Sequence, residues 1–160
     1  MTTPTYTLID STTLGSSASS VTFSSIDQTF GDLVLVINAV FTNDGRALYI
    51  RLNSDTGNNY NQVEMQGTGS SASSGSNTSI STFQVDGYQR LATATIFDYA
   101  TTNKHKSVLS RSATGSSSFP AVRAAAHRWA STAAVTSITV QLNADNLETG
   151  STIYLYGIEA

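Results

Sequence analysis

Apolar and polar residues alternate along this chain in short runs, and turn residues separate the runs. Val21 to Phe23 alternates, and Ala47 to Leu52 sets Leu48, Ile50 and Leu52 against Tyr49 and Arg51. Thr136 to Leu142 sets Ile138, Val140 and Leu142 against Thr139 and Gln141, and Ile153 to Ile158 sets Ile153 and Leu155 against Tyr154 and Tyr156. A period of two marks a strand with two unlike faces. Leu33 to Phe41 (LVLVINAVF) is apolar on both faces, which predicts a central strand covered on two sides. Asn43-Asp44-Gly45 follows it, and Asp-Gly is a hairpin signal, so 33–41 and 47–52 are predicted to pair as a hairpin. Tyr6 to Ile9, Leu91 to Tyr99, Ser107 to Ser112, Ala121 to Ala130 and Ala134 to Leu142 supply further strands. Within them Val122 to Ala130 (VRAAAHRWA) is ambiguous, because alanine tolerates helix, but the run is short and has no clear cap.

No ten-residue stretch shows a convincing helical period. About eight to ten short strands with turns between most neighbours predict an all-β fold, an antiparallel β-sandwich or barrel. A jelly roll is the form that suits the length, with eight strands in two sheets. Residues 1–160 are read as a single domain. Gly67 to Ser76 (GTGSSASSGS) is low-complexity and reads as a flexible Ser/Gly loop, or else as an ordered contact arm in an assembly. Gly150-Ser151 reads as a turn into the last strand, and Gly157 within that strand predicts a bulge or a close backbone approach. Trp129 is the sole tryptophan, expected as a core or interface anchor.

Composition narrows the function classes. Serine contributes 24 residues and threonine 23, so solubility rests on hydroxyls and amides more than on charge, and only 12% of residues are charged. With no cysteine, disulfides and thiolate metal sites are excluded. A net charge of -3 gives no electrostatic footprint for nucleic acid or an anionic membrane. Met1 to Asp10 lacks the basic and apolar regions of a signal peptide, and no apolar run is long enough to span a bilayer.

Three stretches carry a resemblance. The last third reads Trp129, Ser131 to Val140, then Gly150-Ser151-Thr152-Ile153-Tyr154-Leu155-Tyr156-Gly157-Ile158. The first third adds Tyr6 to Ile9, Val21 to Ile26 and Leu33 to Leu35, and the middle adds Arg51 to Tyr60. Together these resemble a family of small virion structural proteins of tailed bacteriophages, particularly phages of aquatic bacteria. The closing Gly-Ser-x-x-Tyr-Leu-Tyr-Gly-Ile is the most specific element. The resemblance implies a non-enzymatic component on the surface of the phage particle. The expected role is a head decoration or cement protein, with the major capsid protein and further copies of itself as partners, as a homotrimer. The alternative is a tail or fibre adhesin that binds host surface glycans. Tyr6, Trp129, Tyr154 and Tyr156 are the expected interface residues, and Met1 to Asp10 is expected to be an N-terminal assembly arm that adds a strand to a neighbour. No cofactor is expected.

Other residue groups bear on chemistry. Asp55-Thr56-Gly57 matches an aspartic-protease tripeptide, but Asn53 and Ser54 precede it where an apolar strand is required, so a turn is the better reading. Asn53, Asp55, Asn59, Asn61 and Glu64 fall at ligand offsets of a calcium loop, although Asn58 stands where the template needs glycine. His105 and His127 are the two histidines, and no Gly-x-Ser-x-Gly elbow accompanies either. Lys104, Lys106, Arg111, Arg123 and Arg128 form a loose basic group, read as scattered surface charge rather than a docking face. Asn77-Thr78-Ser79 is a glycosylation triplet, on which a phage protein made in bacteria, as the resemblance implies, would normally carry no sugar.

Overall fold

The computed structural model describes residues 5–42, 46–68, 71–77, 82–85, 89–114 and 122–159. Twelve strands and no helix occur among them. They are β1 (Tyr6–Thr13), β2 (Ser20–Ser24), β3 (Asp32–Val40), β4 (Arg46–Leu52), β5 (Tyr60–Gly67), β6 (Ala72–Asn77), β7 (Thr82–Val85), β8 (Gln89–Phe97), β9 (Lys106–Thr114), β10 (Val122–Trp129), β11 (Ser137–Leu142) and β12 (Thr152–Ile158). An eight-stranded sheet runs β1-β12-β3-β8-β9-β10-β5-β6, and a four-stranded sheet runs β2-β11-β4-β7. Every pairing is antiparallel.

The connectivity is that of a jelly roll. Strand β1 pairs with β12, β2 with β11, β3 with β8 and β4 with β7. The chain therefore forms one long antiparallel hairpin whose rungs alternate between two sheets, closed side to side by β12–β3 and β11–β4. The predicted all-β antiparallel sandwich is thus present, built on eight of the twelve strands. The other four extend one sheet. β5 and β6 are inserted between β4 and β7, β9 and β10 between β8 and β11, and all four continue the larger sheet beyond β8.

The core lies between the sheets. Leu33, Leu35, Ile37 and Ala39 of β3, Ala92, Ala94 and Ile96 of β8, and Ile153 and Leu155 of β12 point inward from the larger sheet. Val21, Phe23, Leu48, Ile50, Leu52, Ile138, Val140 and Leu142 meet them from the smaller one. These are the apolar halves of the alternating runs, and burying such side chains drives the two layers together. Gly157 meets the expectation of close approach: the Phe30 ring lies flat against its backbone, in the space a Cβ would occupy.

Several local expectations are corrected. Strands β3 and β4 do not pair as a hairpin; β3 lies between β12 and β8 and β4 between β11 and β7, in opposite sheets. The turn signal at 43–45 falls outside the described residues, and each strand goes where its apolar face is buried. β3 is central, but only its inward face is fully buried; Val34, Val36 and Asn38 on the outer face are half-buried. Residues 6–10 are not a free arm. They belong to β1, hydrogen-bonded to β12 of the same chain, with a bulge between Leu8 and Asp10; residues 1–4 lie outside the described set. The low-complexity run is not a loop throughout, because Ala72–Asn77 pairs along β5 as edge strand β6. The ambiguous alanine segment is strand β10, held on both sides by β9 and β5.

Candidate functional site

Register fixes which side chains share a face, because directly opposed residues in an antiparallel pair point the same way. One row across the outer face of the larger sheet runs Leu8, Tyr156, Val34, Thr95, Leu109, Ala126 and Val63. The next runs Ser11, Tyr154, Val36, Thr93, Arg111, Ala124 and Met65. A third includes Asn38, Leu91, Ala113, Val122 and Gly67. Seven large apolar side chains are exposed among the described residues: Tyr6, Leu8, Val63, Met65, Leu91, Leu109 and Val122, at 50–65% each. All seven lie on this one face. Large apolar side chains gathered on one exposed face mark it as the candidate interaction surface.

The extension strands contribute four of these seven, Val63, Met65, Leu109 and Val122, by inverting the usual alternation over part of their length. In β5, Val63 and Met65 point out while Gln62 and Glu64 point in; in β9, Leu109 points out while Ser110 points in. Two pairs form among the inward polar groups. Arg123 Nη1 donates to Glu64 Oε2 at 3.4 Å, and Ser110 Oγ and His127 Nε2 share a hydrogen bond of 2.8 Å. Four strands in the smaller sheet cannot face eight in the larger one, so the extension's inner face meets fewer apolar partners and tolerates this polar layer.

Between the ridges of the outer face runs a groove of about 540 Å³, walled by Met65, Leu91 and Val122 and floored by the small Ala113, Ala124 and Gly67. Arg111 stands in it, exposed, without a hydrogen-bond or ion-pair partner among the described residues. Further groove continues past Val63, Leu109 and Ala126.

Of the four expected interface residues, three share this face. Tyr6 is 56% exposed on β1. Tyr154 and Tyr156 on neighbouring β12 are half-buried, their rings stacked at 6.3 Å and 27°. Trp129 is corrected: it points inward and stacks on Tyr60 at 6.4 Å and 19°, and its indole Nε1 donates to Asp55 Oδ2 at 2.7 Å. The face also contains residues that sequence reasoning missed, namely Leu91, Leu109, Val63, Met65, Val122 and Arg111. Their alternation was visible, but the apolar half of an alternating strand reads as the buried half.

The catalytic and metal candidates resolve into structural roles. Asp55 closes a turn, accepting from the Gly57 N–H at 2.8 Å and Asn59 Nδ2 at 2.8 Å as well as from Trp129. Burial works to raise its carboxyl, but the indole, amide and backbone donors outweigh that and hold it below the usual carboxylate value. The remaining calcium-loop oxygens serve different partners. Asn53 Oδ1 accepts from the Thr136 and Ser137 N–H groups and ties β4 to β11, Asn61 Oδ1 accepts from Arg128 Nη2, and Glu64 pairs with Arg123. Among the described residues, no group of three or more His, Asp or Glu side chains converges as a metal would require. His127 and Ser110 are each about 4% exposed, so the pair has no open approach for a substrate. Burial pushes the His127 imidazole down to about 4, and burial likewise pushes the Tyr60 hydroxyl up to about 12.

The basic group is scattered. Lys104 pairs with Asp98 at 2.6 Å at the surface. Lys106 is wholly buried, its Nζ donating to the carbonyls of Thr101, Lys104 and Thr132 at 2.7–3.3 Å, and burial first, then Lys104, lowers its pKa. His105 is exposed before β9. Asn77 ends β6, and the rest of its triplet lies outside the described residues.

No family model matches the chain, and a search of curated proteins finds no significant match. Among solved structures, the galectin LEC-6 of Caenorhabditis elegans is similar over 100% of this chain and 99% of its own, at 10% identity and a TM-score of 0.36.

Proposed function

We propose that this chain is a non-enzymatic structural protein of a tailed-phage particle, a decoration or cement protein that clamps neighbouring subunits on the head surface. The apolar outer face of the eight-stranded sheet carries the reading: every large exposed apolar side chain among the described residues lies there, across strands from β1 to β5. Many copies of a small module, each burying such a face on the major capsid protein or on a sister copy, turn a modest contact into a stable shell. The resemblance of Gly150 to Ile158 to small phage virion proteins supports the same role. The Ser/Thr-rich remainder suits a surface that faces solvent and must not aggregate.

Quantitative mass spectrometry of purified particles tests this. A copy number in the hundreds places the protein on the head, and a few tens or fewer places it on the tail. Absence from particles overturns the reading. Leu109→Asp in the middle of the face should abolish occupancy while the domain still folds.

The outward-facing stacked pair Tyr154 and Tyr156 favours the adhesin alternative, since parallel rings accept a sugar face. Its neighbours in register are Leu8, Ser11, Val34 and Val36 rather than the Asn and Asp side chains a glycan site would add. Sugar binding on a glycan array that is lost in Tyr154→Ala and Tyr156→Ala would transfer the assignment to that reading.

A further inference from the structure

We infer that the Arg111 groove receives an extended segment of a different protein, one that sets a single carboxylate among apolar side chains. The inference rests on the assembly reading of this face and adds the chemistry of the partner.

Charge commits the occupant. On the outer face Arg111 is flanked across the sheet by Thr93 and Ala124, and along its own strand by Leu109 and Ala113. None of these is acidic, and none of the three outward rows contains Asp or Glu. Glu64, the one acid in β5, β6, β9 and β10, points inward to Arg123. The Arg111 guanidinium therefore stands in an apolar groove with no counter-charge among the described residues. A ligand that brings a carboxylate gains a charge-assisted, two-pronged bond without displacing an existing partner, and apolar walls that close over it exclude water from that bond. The floor of Gly67, Ala113 and Ala124 lies low between Met65, Leu91 and Val122, which leaves depth for the segment's own apolar side chains.

The extent of the face identifies the class of partner. Exposed Leu8, Val63 and Leu109 lie outside this groove, on strands spread from β1 to β5. A single alkyl acid would fill the groove and leave them bare, whereas a protein covers both. An anionic bilayer calls for a cluster of basic side chains, and the three rows hold one. A second copy laid face to face would bring another Arg111 and, from these rows, no carboxylate, so the partner is a different chain.

Amide NMR on the isotope-labelled full chain tests this, with an acetylated, amidated peptide that carries one aspartate between leucines as the probe. Shifts should concentrate on β8, β9 and β10 around the groove, and the same peptide with asparagine or lysine in place of aspartate should bind roughly tenfold more weakly. Arg111→Glu should reverse the order, so that the lysine peptide binds best, and Leu91→Ser on the groove wall should weaken all three. Both sites are exposed, so folding is retained, as circular dichroism and a thermal melt would verify. No binding at millimolar peptide, equal binding of the three peptides, or shifts away from the groove overturns the inference. Self-association at high micromolar concentration that Arg111→Glu abolishes also overturns it, by giving the groove to a second copy. Flotation with phosphatidylglycerol vesicles that Leu109→Asp abolishes does so too, by giving the face to a membrane. Aspartate selectivity in a protein absent from phage particles would keep the inference and remove the phage reading. Full particle occupancy by Arg111→Glu would do the opposite.

Discussion

Leu155 and Leu109 are the same residue type in the same sheet, and they have opposite fates. Leu155, in the half formed by β1, β12, β3 and β8, is wholly buried; Leu109, in the half formed by β9, β10, β5 and β6, is 50% exposed. The first half is faced by a second sheet, so most of its apolar residues go inward, although Tyr6, Leu8 and Leu91 stand exposed on its outer face. In the second half the inner face is mixed, with Tyr60, Val108 and Trp129 buried beside Gln62, Ser110 and His127, while Val63, Met65 and Leu109 stand outside. Alternation tells us that a strand has two unlike faces. It does not tell us which face the molecule closes over, because that depends on what the opposite layer offers.

The comparison predicts unequal responses to similar changes. Leu155→Ala should cost about 3–4 kcal/mol in a chemical denaturation, the sum of lost transfer energy and a cavity that rigid neighbours cannot fill. Gly157→Ala, beside it, should cost about 2–3 kcal/mol, because the new methyl displaces the Phe30 ring. A variant as stable as the wild type would mean that Phe30 has an alternative seat.

The inverted half should respond to acid. His127 is neutral in the fold, with a pKa of about 4 against 6.5 when unfolded, so between these values the unfolded chain binds the extra proton. Stability is full above pH 6.5 and falls as pH drops toward 4, by about 2–3 kcal/mol from this group. His127→Gln, which keeps a partner for Ser110, should flatten that part of the pH profile. A slope unchanged by the substitution would move the acid sensitivity to another group. The smallest effect belongs to the exposed face: Leu109→Ser should leave stability within about 0.5 kcal/mol of the wild type. A large loss there would show that the outer face is part of the folding core rather than a surface awaiting a partner.

Much of the fold was legible because local periodicity and long-range packing agree where two sheets meet. β2, β4, β11 and β12 lie close to where alternation predicts, with the predicted residues inside. β6 was hidden because Ser, Ala and Gly carry no pattern, and its strand character shows only in its pairing with β5. The Asp-Gly turn was misread as a hairpin because a turn signal reports a reversal and not a partner. Trp129 was assigned to both core and interface because a lone tryptophan suits either; Tyr60 and Asp55, brought to it by strand pairing, settle it as core.

By itself, then, the amino-acid order determined that this chain is all strands, where most of them run, and that no thiol chemistry is open to it. Those properties follow from side-chain period and residue type, which act over a few neighbours. The tertiary structure alone decided which strands pair, that four extra strands outgrow the smaller sheet, and that Val63, Met65, Leu109 and Val122 on them face outward. Those outcomes depend on residues far apart in the chain competing for the same buried area, and the loser of that competition is left as an exposed apolar face.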